Sequence, residues 1–262
     1  MGTDIGDFTV FACPHCTMPL RLNQQEARCE NNHLFDRSRD GYINLVIGGR
    51  LAATTTSGDT AESLRSRRDF FATGSYAPIA SALAHALREV SGPILDVGCG
   101  EGYYFTHINA TEKYGIDISK KAVQMASKLL PDAHFAVASA FRLPIVDHSC
   151  AAVFTVFAPH SFEEYARVLK PGGTWVTVTP GPHHLQQMRP KRGQSIDERE
   201  ERRSEPPAEA QKAERIQFEL DLSLSAATDL FSMTPLVWQT AADASPATQV
   251  SVDVWVSSGT SL

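Results

Sequence analysis

"GPILDVGCGEGYYF" (residues 92–105) runs from an apolar stretch, Ile94 to Val97, through Gly98, Gly100 and Gly102 into residues able to form a helix. That order predicts a strand, a glycine turn and a helix. Glycines let the backbone take up positive φ and approach a ligand closely, and a helix start offers unpaired amides. Taken alone, G-x-G-x-G is weak evidence for any one ligand, and it does not match the G-x-G-x-x-G of dinucleotide dehydrogenases. Two acids sharpen the reading. Asp96 lies two positions before Gly98, and "YGIDIS" (residues 114–119) puts Asp117 after a second short apolar strand, at the offset from which a carboxylate grips ribose hydroxyls. Both acids would sit at strand ends, where open α/β sheets hold their ligands.

Downstream, "AHFAVASAFRLP" (133–144) supplies a third strand ending near Ser139, and "SCAAVFTVFAP" (149–159) a fourth ending at Pro159. A helix from Phe162 to Leu169 stops at Lys170-Pro171-Gly172-Gly173 and feeds a strand from Trp175 to Thr179. Near the end, "IQFELDLSLS" (216–225) and "TQVSVDVWVS" (248–257) alternate apolar and polar residues around a helical stretch, "AATDLFSMTPLVW" (226–238). Two such strands predict an antiparallel pair closing one sheet edge. Between them and the fifth strand, residues 188–215 mix both charge signs with few large apolar residues, as a solvated insert would.

Upstream, "CPHCTMPLRLNQQEARCENNH" (13–33) has the spacing C-x2-C-x12-C-x3-H. Cys13, Cys16, Cys29 and His33 suit tetrahedral zinc, and four protein ligands leave no open position, so the role is structural. His15 is a rival nitrogen, poorly placed beside Cys16 to complete the same tetrahedron. Some forty residues make too small a core to be stable alone, so the metal would supply much of the folding free energy. "LNQQEAR" and "NHLFDRSRDGYINL" read as short hairpins, with Asp40-Gly41 as a turn.

The bulk properties fit two parts in one soluble chain. The length is 262 residues, 42% are hydrophobic and 21% charged, and the formal net charge of −6 argues against binding nucleic acid by bulk charge. Local arginines can still hold RNA. No apolar run approaches the roughly 20 residues of a bilayer span, and the start lacks a signal-peptide pattern, so a cytoplasmic location with no membrane partner is expected.

The series of D-x-G-x-G-x-G, an acid after strand two, L-K-P-G-G before strand five and a final hairpin resembles class I S-adenosylmethionine-dependent methyltransferases over residues 76–262. The resemblance implies an α/β Rossmann-like fold with a seven-stranded sheet. With "CPHC", "GDTAESLRSRRDFFATGSYAPI", "TPGPHHL" and "MTPLVW" added, the whole chain resembles the RlmA family, which methylates N1 of a guanine in hairpin 35 of 23S rRNA. The tylosin-resistance type, which modifies a neighbouring guanine and can confer antibiotic resistance, is the favoured subgroup.

The resemblance implies S-adenosylmethionine contacts from Tyr76, Gly98, Gly100, Glu101, Gly102, Asp117 and His184, and a structural zinc. It divides the chain into a ribbon for RNA recognition (1–45), a linker with an Arg-rich helix (46–75) and a methyltransferase domain (76–262) with a charged insert near 186–215. Guanine N1 carries a proton at neutral pH, and His160, where this fold places substrate contacts, is the candidate base. Arg50, Arg65, Arg67 and Arg68 are candidates for the RNA grip, as are Arg189, Lys191 and Arg192. A homodimer is compatible with these motifs and required by none. Two other readings fit parts of the sequence: a small-molecule methyltransferase with a structural zinc cap, and a non-catalytic zinc adaptor that binds RNA.

Overall fold

The computed structural model describes residues 7–47, 60–189, 205–234, 236 and 246–261. Arg50, Lys191, Arg192 and most of the charged insert lie outside the described residues. The chain opens with four short antiparallel strands in the order β1-β2-β3-β4: β1 (Asp7–Ala12), β2 (Pro19–Leu22), β3 (Glu26–Arg28) and β4 (Leu34–Asp36). The expected hairpin at "LNQQEAR" is β2 and β3, turned by Asn23, whose side-chain oxygen accepts from the amides of Gln25 and Glu26. The second expected hairpin shrinks to a single bridge, Arg37 to Ile43, across a turn at Gly41.

The remaining strands form one sheet. They are β5 (Ile43–Asn44), β6 (Pro93–Val97), β7 (Glu112–Asp117), β8 (His134–Val137), β9 (Cys150–Val156), β10 (Leu169–Pro180), β11 (Lys212–Asp221) and β12 (Gln249–Thr260). Their order is β11-β12-β10-β9-β6-β7-β8-β5, parallel except for the antiparallel pairs β10–β12 and β11–β12. The sheet therefore has eight strands where seven were expected. Ile43 and Asn44, at the tail of the ribbon, lie parallel to Ala136 and Val137 and extend its edge. Residues 212–215, placed by the sequence in the insert, belong instead to β11.

Five α-helices, α1 (Ala61–Ala72), α2 (Ala77–Ala86), α3 (Lys120–Leu129), α4 (Phe162–Val168) and α5 (Leu224–Ser232), and two 3-10 turns, Tyr104–His107 and Gln186–Met188, complete the described elements; the helix expected after the glycine turn is only the first of those short turns. Thr60, Ser119, Ser161 and Ser223 cap four of the α-helices by accepting from an amide of the first turn, replacing a bond the helix itself cannot make. None of the helices is long and apolar enough to cross a membrane.

The sheet divides two cores. On one face Phe70, Ile79, Leu83, Val123, Ala126, Ala227 and Leu230 of α1, α2, α3 and α5 pack on Phe154, Val176, Val178 and the even-numbered valines of β12. On the other, Tyr165 and Val168 of α4 and the ribbon's Val10, Phe11, Leu20 and Leu22 cover Leu95, Val97, Ile116 and Val153. The ribbon thus shares this face of the sheet with α4. Backbone bonds join it to the segment before β9, Ala12 donating to Pro144 and Val146 to Val10. Asp40 then ties it to α3, accepting from Gln124 at 2.6 Å and pairing with Lys128 at 3.5 Å.

Candidate cofactor loop and metal centre

The ribbon brings the four expected metal ligands together. Their ligand atoms all lie within 4.8 Å of one another. The edges are Cys16 Sγ to Cys29 Sγ at 3.7 Å, Cys13 Sγ to His33 Nδ1 at 3.5 Å and Cys29 Sγ to His33 Nδ1 at 3.4 Å. Bond lengths of about 2.3 Å to sulfur and about 2.0 Å to nitrogen require tetrahedron edges of about 3.8 Å and about 3.5 Å, so the donor set fits zinc. Two similar turns make it: Thr17 donates to Cys13 and Asn32 to Cys29, each turn passing through a residue at φ 60°. The Met18 amide holds the Cys16 thiol down at about 6, while burial pushes Cys13 up to about 11. His15 stays outside the set, its ring 5.0 Å from that of His33.

At the carboxyl end of β6 the chain turns through Gly98, Gly100 and Gly102 at φ 78°, 53° and 87°. Gly98 is confined as well as left-handed: a Cβ there would stand 2.3 Å from that of Ala158. Asp117 closes the loop from the neighbouring strand end. Its Oδ2 accepts from the Gly100 amide at 2.9 Å and its Oδ1 from the Ser119 amide at 2.8 Å, which fixes the carboxylate plane.

Asp96 is buried beneath the turn with Oδ2 lacking a hydrogen-bond partner, and burial together with Asp117 pushes its carboxyl well above the usual range. Glu101 is also buried, and its Oε2 has no hydrogen-bond partner, although Arg68 Nε stands 3.5 Å away. Burial raises the Glu101 carboxyl while Arg68 and Arg67 oppose the rise. Orphaned carboxylate oxygens around an opened glycine turn suit a ligand that is both polar and cationic. Of the arginines expected at an RNA surface, Arg65 and Arg68 are exposed on α1, and Arg67 and Arg68 also border this loop.

An aromatic wall faces the loop. Tyr76 is fully buried at the start of α2, its ring 4.9 Å from Phe70 and 6.5 Å from His184. His184 is buried and accepts at Nδ1 from the Asp253 amide, so its neutral form carries the proton on Nε2. Burial is the main reason its pKa falls to about 4. Asp253, itself buried, receives both Nε and Nη2 of Arg215 at 2.8 Å and the His183 amide at 2.8 Å. Arg189 caps this corner from outside through the carbonyls of Pro182 and His184. His160 lies just past β9 with Nδ1 3.3 Å from the Ala158 carbonyl, its ring stacked 5.7 Å from Tyr165. With Nδ1–H donating there, Nε2 is left as the basic nitrogen.

Phe157, Arg215 and Asp253 were not picked out from the sequence. Asp253 carries the one available signal, a carboxylate at a position of "VSVDVWV" that the sheet buries.

The sheet order, the glycine turn closed by Asp117 and the Cys3His cluster define a class I S-adenosylmethionine-dependent methyltransferase carrying a structural zinc ribbon. Residues 95–177 match the family model described as a methyltransferase domain, and residues 11–46 the one described as RlmA, N-terminal. The 23S rRNA (guanine(748)-N(1))-methyltransferase of Streptomyces fradiae is 34% identical over 241 residues, covering 86% of this chain and 85% of its own. A candidate 23S rRNA (guanine-N1)-methyltransferase of Bacillus subtilis strain 168 is 30% identical over 261 residues, 90% of each chain. Among solved structures, geranyl diphosphate C-methyltransferase from Streptomyces coelicolor A3(2) is similar over 71% of this chain and 76% of its own, at 14% identity and a TM-score of 0.44. The chain belongs to the 23S rRNA (guanine-N1)-methyltransferase family.

Proposed function

We propose that the protein methylates N1 of a guanine in hairpin 35 of 23S rRNA, as an enzyme of the tylosin-resistance type. The observation that carries this is the union of the Cys3His ribbon and the methyltransferase sheet in one shared core, in a chain 34% identical to a methyltransferase named for guanine 748. Antibiotic resistance would be a downstream consequence of that modification. Each proposed group comes from one chain, so a homodimer is not needed for the chemistry.

Bound S-adenosylmethionine supplies a methyl group on a sulfonium, whose leaving group needs no enzyme nucleophile. What the protein contributes is position. Gly98, Gly100 and Gly102 open the backbone for the methionine end, Glu101 offers its amino group a carboxylate, and Asp117 is placed to accept from the ribose. Tyr76 and His184 wall the site. In-line alignment of acceptor and methyl carbon at near-attack distance can account for most of the acceleration.

Guanine N1 is occupied in a Watson–Crick pair, so the base must leave the helix. Its proton then goes to Nε2 of His160, with the Ala158 carbonyl orienting the imidazole through Nδ1. The ribbon (1–45) grips the hairpin while residues 76–262 treat the base. Arg65, Arg67 and Arg68 on α1 belong to that grip, and Arg50, Arg189, Lys191 and Arg192 are further candidates for it. Incubation with labelled S-adenosylmethionine and a hairpin 35 transcript tests the reading. Label should enter the RNA, and label entering small metabolites without RNA would favour the small-molecule alternative.

A further inference from the structure

Phe157 is the residue where β9 leaves the sheet. Its φ is 55°, a left-handed backbone that a bulky aromatic residue rarely adopts, and its side chain is 40% exposed. Strained backbone of this kind persists where the surroundings hold it, and it clusters at functional sites. Here the holding groups are visible. The Phe157 amide donates to Val178 at 3.0 Å, and the next residue, Ala158, presses its methyl group into the space that a side chain on Gly98 would need. The ring is therefore fixed beside the cofactor loop.

One side of that ring is already used. His184 lies 5.2 Å away at an interplanar angle of 29°, a stacked pair, and Tyr76 approaches at 6.2 Å with a tilt of 53°. His184 is locked from behind by the Asp253 amide, and Asp253 by Arg215. The anchored Phe157 ring, still 40% exposed, adds an open apolar surface to a site that also holds the carboxylates of Asp96, Glu101 and Asp117. Of the other two exposed phenylalanines among the described residues, Phe8 carries the Arg21 guanidinium 3.5 Å from its ring centre, out on the ribbon, and Phe141 lies past β8, where none of the described residues sets an aromatic ring against it.

We propose that Phe157 is the stacking platform for the extruded guanine, setting its plane and height so that N1 faces the methyl group. This inference rests on the rRNA methyltransferase reading and adds a substrate-contacting residue to it. A flat purine gains from an aromatic face whatever its hydrogen-bonding edge, so Phe157 would position the base while polar groups select it.

The test is single-turnover methyl transfer to a hairpin 35 transcript by the wild type, Phe157→Tyr, Phe157→Leu and Phe157→Ala, with calorimetric titration of S-adenosylmethionine for each. Loss of base stacking should slow Phe157→Ala and Phe157→Leu about 10- to 100-fold. Phe157→Tyr should stay within about threefold of wild type, and cofactor affinity should move less than about threefold throughout. A leucine variant as fast as wild type overturns the platform, because bulk without a ring would then suffice. Cofactor affinity falling in step with rate also overturns it, since the ring would then serve the cofactor. A wild type that transfers no label to the RNA defeats the function reading and this inference together, whereas normal transfer with an indifferent Phe157→Ala defeats this inference alone.

Discussion

Stripping zinc from the ribbon should unfold the methyltransferase sheet with it. Structural zinc in small modules contributes an apparent ~10–16 kcal/mol, against a total stability of about 5–15 kcal/mol for a typical domain. Val10, Phe11, Leu20 and Leu22 are buried in the same cluster as Leu95, Val97 and Ile116. At about 1.5–3 kcal/mol for each buried side chain, those four contribute roughly 6–12 kcal/mol that depends on the ribbon staying folded. The ribbon also supplies β5 and the Asp40 contacts to α3. A chelator titration followed by calorimetry should therefore show one transition for the whole chain, lowered by at least about 10 °C as metal is lost. Affinity for S-adenosylmethionine should disappear over the same chelator range, and Cys29→Ser should reproduce both effects. Two separated transitions, with cofactor binding intact after the first, would refute the shared-core reasoning.

Gly98→Ala combines a left-handed φ with a Cβ 2.3 Å from that of Ala158, so cofactor affinity measured by calorimetry should fall at least about tenfold. His184 is neutral when folded, with its pKa lowered from 6.5 to about 4 by burial. Between those values the unfolded chain takes up a proton that the folded chain refuses, so stability falls as pH drops from 6.5 to 4, by about 3 kcal/mol. In denaturant titrations His184→Gln should lose that share of the acid slope, while Asp253, held low by Arg215 and the His183 amide against its burial, adds its loss only further down in pH. His160→Ala should cut single-turnover transfer about 100-fold near neutral pH, the loss shrinking as pH rises toward guanine N1 ionisation. Unchanged rates across pH would remove His160 as the base.

The turn at 98–102, the acid at 117 and the four metal ligands were legible because each depends on residue type at fixed local spacing. Glycine at positive φ and thiolates on tight turns leave a mark in the sequence. The final hairpin was legible by the alternation of β12, whose even-numbered valines share one core. Long-range choices were not. Nothing within "GYINL" distinguishes a ribbon hairpin from an edge strand for another sheet, because two residues carry too little periodicity to specify a partner. The approach of the exposed Arg68 to the buried Glu101 depends on how α1 crosses the glycine turn, which no local pattern records. Phe157 reads as one more apolar residue of a buried strand running to Pro159, and only the strand's end at Val156 exposes it.

The most direct measurement is the position of the methyl group. After reaction with unmodified 23S rRNA, nuclease mapping with mass spectrometry should find one new N1-methylguanine, in hairpin 35 and at the position corresponding to that named for the Streptomyces fradiae enzyme. Methylation at a different atom, outside that hairpin, or on no nucleotide at all would contradict the account.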